Sequence, residues 1–310
     1  MRTGARWRDR IGLPLTLLGS ALLLTAVVPA ALSAGPAITS AEGECSAGPM
    51  AVARAALHPP SDRATTRVQQ LLGRRGELTG RVLTVERSGR APVGVSLPPE
   101  SFVGQRVGDL LVYTLDTPES GSSVYLLDVE NSCDASILQM SDVVRSAALD
   151  PDGSAVYFHS VTRSERRDNG VHVSDLSSGA TVRAMAPLAA SDEFGPTFGT
   201  ELRWSLDGTA LAVQSCGFER CRTRILDVAS GALATFDAPG QGALIGLTSA
   251  HLVTFADCAG LPCDVVSIDL ASGAMATLAE EALGASLGAG VGGAAIVSIE
   301  TAAGFMEVVQ

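Results

Sequence analysis

The sequence predicts an all-β protein, a β-propeller of four-stranded antiparallel blades. The first observation is a repeated cysteine pair, because Cys216 and Cys221 are answered by Cys258 and Cys263 with a constant shift of 42 residues. The second is that the neighbouring text follows the same shift, since ILDVASGALAT returns as SIDLASGAMAT. A repeat of about 40 to 45 residues is typical of a propeller blade.

Each repeat contains two hairpins separated by a longer loop. ELRWS and TALAVQ flank a turn at Asp207-Gly208, and RTRILDV and ALATF flank a turn at Ser230-Gly231. Glycine at these positions supplies the positive φ that a tight turn requires. The earlier segments SAALDPDGSAVYFHS and VHVSDLSSGATVRAM follow the same plan. Four full blades are predicted, over residues 101–143, 144–190, 196–238 and 241–280.

The two ends of the repeat region predict how the ring closes. Residues 81–97 align with the second hairpin of a blade, and residues 285–310 align with a first hairpin plus a third strand. Strands from both chain ends that join in one blade close the ring without an exposed edge. We therefore predict a propeller of five blades over residues 77–310, with six blades as the alternative if each terminal piece forms its own.

The N-terminal region has the features of an export signal. Residues 1–34 contain a basic start, MRTGARWRDR, followed by a long apolar run and a cluster of small residues. This pattern predicts a signal peptide, and the alternative is an uncleaved membrane anchor. Residues 35–76 are predicted to form a linker and a short helix over SDRATTRVQQLLGRRG, with Ser61 or Asp62 as its cap. We expect an exported protein, either extracellular or in the cell envelope.

The charge of the chain limits its partners. The formal net charge is −11, and removal of the leader, which contributes four arginines and Asp9, leaves about −14. An acidic body repels phosphate backbones, so nucleic acid is not an expected partner. Contact with a membrane is expected only through an uncleaved N-terminal segment.

The six cysteines predict disulfides, because an even number follows an export signal. The expected bridges are Cys216 to Cys221, Cys258 to Cys263 and, by elimination, Cys45 to Cys133. Zinc ligation by the four cysteines of the two small rings is the alternative. Zinc ligand pairs usually have two residues between them, so we expect no metal and no other cofactor.

Two segments resemble a known family. WSLDGTALAV and LDPDGSAVYF resemble the WD-like β-propeller repeats of TolB-type proteins, although Leu206 stands where that family prefers proline. The resemblance implies a propeller that binds proteins or ligands, often in the periplasm or outside the cell. It implies no particular reaction.

The loops between the second and third strands of each blade are the predicted binding face. In a propeller these loops emerge on the same side as the connections between blades, so the two cysteine loops should neighbour the loop SVTRSERRDNG of the preceding blade. The candidate binding residues are Arg163, Arg166, Arg167, Phe218, Arg220 and Leu261. The alternative interpretation is that the disulfides only restrict the unfolded chain and that the arginines are simply solvated.

Three patterns that suggest chemistry have simpler explanations. GASLG matches G-x-S-x-G with Ser286 as nucleophile, and GAGVGG matches G-x-G-x-x-G, but neither lies between a strand and a helix as the chemistry requires. His159 and His172 flank one loop, where a weak metal site is conceivable. We assign no catalytic residue and expect a non-catalytic module that binds an unknown protein or small ligand. The alternatives are a hydrolase or lyase with a site in the central channel, and a structural component of the envelope.

Overall fold

A computed structural model describes residues 37–40, 64–72, 77–87, 91–165, 167–188, 199–217, 220–238, 240, 242–258, 261–290 and 293–310. The predicted leader therefore lies outside the described residues. No α-helix occurs in the described part of the chain, and hence no helix there is long and apolar enough to cross a bilayer.

Five sheets arranged in a ring form a five-bladed β-propeller. Blade 1 contains β1 (Ala37–Ser40), β2 (Ala64–Leu72), β3 (Leu78–Arg87) and β4 (Val93–Leu97). Blade 2 contains β5 (Ser101–Val107), β6 (Leu110–Thr117), β7 (Gly121–Asp128) and β8 (Cys133–Met140). Blade 3 contains β9 (Val143–Leu149), β10 (Ala155–Val161), β11 (Asp168–Asp175) and β12 (Thr181–Met185). Blade 4 contains β13 (Gly199–Trp204), β14 (Ala210–Cys216), β15 (Cys221–Asp227) and β16 (Leu233–Ala238). Blade 5 contains β17 (Leu244–Leu247), β18 (His251–Ala256), β19 (Cys263–Asp269), β20 (Met275–Ala289), β21 (Ala295–Thr301) and β22 (Gly304–Val309).

The predicted extents of blades 2, 3 and 4 agree with the strands, whereas blade 5 continues beyond its predicted end at residue 280 to Val309. In blades 2, 3 and 4 the four strands pair in chain order as an antiparallel meander, and blade 5 begins in the same way. The alternation of apolar and polar residues makes each inner strand bury side chains against the next blade. The four full copies of the repeat are thus four consecutive blades.

Most of the core lies between blades, and one further cluster lies within blade 5, where Val253 and Val265 cluster with Val297 and Ile299. Apolar side chains of blades 2 and 3 form one cluster, which includes Leu110, Val112, Val144 and Phe158. Similar clusters join blades 1 and 2, blades 3 and 4, and blades 4 and 5. Each such side chain stabilises the fold by roughly 1.5–3 kcal/mol relative to an exposed position. Neighbouring blades therefore hold one another in place.

The outer turns are three copies of one hydrogen-bonding device. Asp175, Asp227 and Asp269 each accept bonds at Oδ1 from the backbone N and the Oγ of a serine three residues later, at 2.6 to 2.9 Å. A glycine with φ near 70° follows in each turn, as the predicted Gly231 does. These bonds lower the pKa of all three carboxyls, that of Asp175 to about 2, with the serine bonds as the main cause. The phrase Asp-x-x-Ser-Gly is therefore a turn signature and not a catalytic one.

The helix predicted near Ser61 is wrong where the structure describes this segment. Residues 64–72 form β2, which pairs with β3 from Ala64 opposite Arg87 to Leu72 opposite Leu78. Pairing along the whole strand satisfies its backbone groups, which outweighs the helical spacing of its leucines. The propeller consequently begins before residue 77, because β1 and β2 both belong to blade 1.

The closure of the ring differs from the prediction. β1 pairs in parallel with β4 at the outer edge of blade 1, whereas β21 and β22 extend blade 5. The reason is β20, which runs for 15 residues, pairs first with β19 and then with β21, and changes register at Glu281, whose φ is 52°. Its second half returns towards β17, where Leu287 packs on Gly246. The predicted alternative of six blades would apply if the second half of β20, β21 and β22 were counted as a separate blade.

Candidate functional site

One end of the propeller carries the longer loops, and we call it the loop face. It comprises residues 162–167 between β10 and β11, 217–220 between β14 and β15, and 257–262 between β18 and β19. The described connections between blades, including residues 186–188 and 242–243, lie at the same end because each innermost strand begins there. Arg166 and Phe218, two of the predicted binding residues, lie outside the described residues.

The loop of blade 3 is fixed to blade 2 by polar side chains. The Arg163 guanidinium forms an ion pair with Asp116, and its Nε donates to the carbonyl of Ser141 at 3.3 Å. Asn169 Nδ2 donates to Asp142 Oδ2 at 2.8 Å. Arg163 is therefore held against the neighbouring blade instead of extending freely into solvent.

A buried histidine and carboxylate support the same loop from below. His159 Nε2 lies 2.9 Å from Asp168 Oδ1, and Asp168 also accepts hydrogen bonds from the amides of Gly170 and Leu188. Burial alone would raise the pKa of Asp168, but the hydrogen bond and charge of His159 and the two amides lower it below its ordinary value. His159 is almost fully buried, and its Nδ1 has no partner in the described part of the chain. The pair ties β10, β11 and the connection to blade 4 together.

His172 does not complete a metal site with His159. Its ring stacks on Phe158 with centroids 5.5 Å apart. Burial lowers its pKa, and the nearby charge of Arg183 lowers it further. Among the described residues, no group of three histidine, cysteine or acidic side chains is close enough to hold a metal ion.

The first disulfide, Cys216 to Cys221, closes the loop of blade 4. The two cysteines are directly opposite each other on β14 and β15. The Cys221 amide donates to Gly240 O at 3.1 Å, and the Gly242 amide lies 3.4 Å from Cys221 Sγ. A side chain at Gly242 would meet the carbonyl oxygen of Phe255 at 2.0 Å. This disulfide is thus packed into the connection between blades 4 and 5.

The second disulfide, Cys258 to Cys263, closes the loop of blade 5. Leu261 lies within this loop and leaves 66% of its surface exposed. Because both pairs of ring cysteines are oxidised, the zinc alternative is wrong. Cys133 is also disulfide-bonded, whereas its predicted partner Cys45 lies outside the described residues.

Carboxylates neutralise the arginines of the loop face that the structure describes. Arg167 lies 3.7 Å from Glu165, and Arg220 lies 3.7 Å from Asp237. The Arg222 guanidinium donates two hydrogen bonds to the same Asp237. These bonds lower the pKa of Asp237. With Arg163 paired as well, the described part of this face presents paired charges and the exposed Leu261.

The structure also reveals a cavity in the central channel that the sequence reasoning missed. It has a volume of about 270 Å³ and lies where β2, β5, β9 and β13 approach one another. We call it the channel cavity, and its main side chains are Val68, Arg81, Phe102, Ser146, Glu201 and Arg203. The signal available in the sequence was Glu201 and Arg203, two positions apart on an inner strand and therefore on the same side of it.

Glu201 is fixed in the wall of the channel cavity. Its Oε2 accepts a hydrogen bond from the Leu244 amide at 3.0 Å, which joins blade 4 to blade 5. Burial raises the pKa of this carboxyl, while Arg203 and the Leu244 amide act in the opposite direction. Among the described residues that line the cavity, Glu201 is the only acidic one.

A glutamine bridges the channel beside this cavity. Gln105 Oε1 accepts from the Trp204 amide at 2.5 Å, and its Nε2 donates to the Trp204 carbonyl at 3.4 Å. Blade 2 is therefore linked to the inner edge of blade 4. Gly104 permits the neighbouring approach to blade 3, since a Cβ there would meet the Ala147 oxygen at 2.2 Å.

The two glycine-rich motifs are parts of the last blade. Ser286 lies within β20 opposite Ser298, and the pattern from Gly288 to Gly293 spans the end of that strand and the turn to β21. Neither has the strand-to-helix context that a nucleophile elbow or a dinucleotide site requires.

Comparison with known proteins identifies the fold. No protein-family model and no curated protein matches the chain. TolB from Acinetobacter baumannii is similar in structure, with a TM-score of 0.56 and 16% identity over 81% of this chain and 64% of that chain. This chain thus spans less than two thirds of that TolB.

Two other solved structures are more distant. A putative TolB from Agrobacterium tumefaciens has a TM-score of 0.41 at 13% identity, over 71% of this chain and 90% of that chain. An oligogalacturonate lyase in complex with manganese has a TM-score of 0.45 at 12% identity, over 80% and 70% of the two chains. At these identities the likeness concerns the fold alone. The chain is a five-bladed β-propeller whose fold is similar to that of TolB.

Proposed function

We propose that the protein is an exported, non-catalytic binding module that holds a protein partner on its loop face. The observation that carries this proposal is the exposed Leu261 on a loop closed by a disulfide. An apolar anchor on a preorganised loop binds with a smaller loss of conformational entropy than one on a free loop. The two disulfides favour an oxidising compartment, which agrees with the predicted export signal.

The neighbouring loops support the same interpretation. The loop of blade 3 is held by Arg163 and Asn169, and the loop of blade 4 by its own disulfide. In three consecutive blades, side-chain contacts or a disulfide thus hold the described ends of the loops at this end of the propeller. Paired charges around an apolar anchor are typical of the polar rim of a protein interface.

The alternative hypothesis is a hydrolase or lyase with its active site in the central channel. Hydrolysis by a carboxylate pair needs two acids on either side of the scissile bond. The described lining of the channel cavity supplies Glu201, whose Oε2 already accepts the Leu244 amide. This arrangement favours binding over that chemistry.

Site-specific photo-crosslinking tests the proposal in the cells that produce the protein. A photoreactive amino acid replaces Leu261 in the full chain, and the matched control places it at Leu206, which is 40% exposed. Leu206 lies in the β13–β14 turn, at the opposite end of the propeller. We expect a discrete protein adduct from position 261 and none from position 206. Equal adducts from both positions, or no adduct from position 261, would contradict the proposal.

A further inference from the structure

Two arginines line the channel cavity without neutralising ion pairs. The guanidinium groups of Arg81 and Arg203 make no ion pair or hydrogen bond within the described part of the chain, unlike those of Arg163, Arg167 and Arg220 on the loop face. The protein as a whole carries a net charge of −11. An acidic protein that keeps two guanidinium groups unpaired in one cavity has a local environment suited to an anion.

Polar atoms without partners lie at the same place. Arg81 Nε and Ser146 Oγ are buried atoms with no hydrogen-bond partner among the residues that the structure describes. A buried donor without an acceptor costs free energy, and an anion in the cavity would supply acceptors to both groups. The Arg81 guanidinium lies over the Phe102 ring at 5.5 Å from its centroid, which holds it in place by a cation–π contact. The donor set is therefore partly preorganised.

The remaining walls restrict the kind of anion. Val68 and Phe102 each expose 42% of their surface, so the cavity is open to solvent and offers apolar contact area. Glu201 places one negative charge in the wall. Two arginines and one glutamate together leave a single positive charge, which suits a monoanion and disfavours a dianionic phosphate. A volume of about 270 Å³ accommodates a small organic molecule.

We propose that the channel cavity binds a small monocarboxylate with an apolar body. Arg81, Arg203 and Ser146 donate hydrogen bonds to the carboxylate, and Phe102 and Val68 contact the apolar part. Guanidinium groups match the planar carboxylate, and such charge-assisted bonds are stronger than neutral ones. This site is separate from the loop face and does not depend on a protein partner there.

Binding of benzoate tests the proposal, with uncharged benzamide as the matched ligand control. Titration calorimetry and ligand-observed NMR on the mature protein measure affinity, and N-acetylphenylalanine serves as a second probe that carries the carboxylate at a chain terminus. We expect saturable benzoate binding and much weaker binding of benzamide. Binding of N-acetylphenylalanine as well would identify a peptide terminus as an additional source of the carboxylate, and binding of benzoate alone would identify a free acid.

Substitutions locate the site. Arg81→Met and Arg203→Met each keep an apolar stem and should weaken benzoate binding about tenfold, the loss expected for one charge-assisted bond. Arg183→Met, with the same change of charge at an exposed position of the outer strand β12, should leave the affinity unchanged. Unfolding curves check that each variant folds. If Arg81→Met does not fold, Arg203→Met alone tests the site.

The proposal is overturned if benzamide binds as well as benzoate, if Arg183→Met weakens binding as much as the channel variants do, or if benzoate does not bind. The crosslinking from position 261 is a separate readout. Failure of the channel site therefore leaves the loop-face proposal intact, and the reverse also holds.

Discussion

The two disulfide loops are copies of one sequence feature, yet they differ in what covers them. The loop of blade 4 is packed into the next connection, where Cys221 is fully buried and contacts Gly240 and Gly242. The loop of blade 5 lies beyond the last paired residues, Ala256 and Asp264, and exposes Leu261, although its Cys263 is buried as well. The comparison teaches that a repeated sequence feature can stabilise one blade junction and present a surface at another.

The equivalent loop of blade 3 completes this comparison, because it contains no cysteine. Its place is secured by Asp168, which contacts His159 and two backbone amides. Polar contacts thus occupy the position that disulfides occupy in the two following blades. Substitutions in each of the three loops measure how much the polar contacts and the two disulfides each contribute to the free energy of unfolding.

The largest effect is expected from Asp168→Ala. Removal of this carboxylate leaves buried His159 and two amides without their acceptor, and the loss of one partner of a buried pair costs about 3 kcal/mol of unfolding free energy. Chemical denaturation at neutral pH measures it. Asp142→Ala is the control, since it removes one bond to Asn169 at the same end. A loss below that of the control would show that the buried pair does not hold this loop.

The double variant Cys216→Ala with Cys221→Ala should follow. Loss of a ring this small removes about 2 kcal/mol by loop entropy. The cavity left by the buried sulfur atoms at the blade junction lowers the free energy of unfolding further. Denaturation of the oxidised proteins measures the change, and an effect no larger than that of the second disulfide would break the comparison.

The double variant Cys258→Ala with Cys263→Ala should be milder. Its ring has the same sequence separation of five as the first, so the entropic loss is again about 2 kcal/mol. Cys263 is buried nearly as well as Cys221, so the expected difference rests on the contacts of Cys221 with Gly240 and Gly242 at the blade junction. If this variant proves the less stable of the two, the exposed loop contributes contacts that its surface position does not indicate.

The smallest effect concerns acid pH and the end opposite the loop face. The pKa of Asp175 is about 2 in the fold, below the ordinary value near 3.9. Its contribution is therefore present above the ordinary pKa and is lost as the pH falls towards 2. Asp175→Asn should thus reduce stability at neutral pH, and the difference from wild type should shrink in acid. Unfolding curves over this range check the sign, and a difference that grows in acid would contradict it.

The sequence predicted the repeating part of the fold because four blades carry the same turn signals. It failed at β2, where Val68, Leu71 and Leu72 have a spacing that fits a helix as well as a strand. It also failed at the closure, because a bend at Glu281 within one continuous strand leaves no turn signal. Local sequence patterns specify the hairpins of each blade, whereas the pairing of the terminal strands depends on the fold of the whole chain.

The candidate sites show the same limit. Leu261 and Arg163 were predictable, because the repeat places their loops at one end. The channel cavity was not, since Arg81, Phe102, Ser146 and Arg203 come from four different blades. Only the arrangement of the inner strands brings these residues together, and no short segment contains two of the four.

Gln105 has a mechanical consequence. A propeller ordinarily transmits strain around its circumference, from each blade to its two neighbours. The two hydrogen bonds between Gln105 and Trp204 add a direct link between blades 2 and 4, which are not neighbours in the ring. Blade 3 lies between these two blades. We therefore expect blades 2, 3 and 4 to open as one unit in local unfolding.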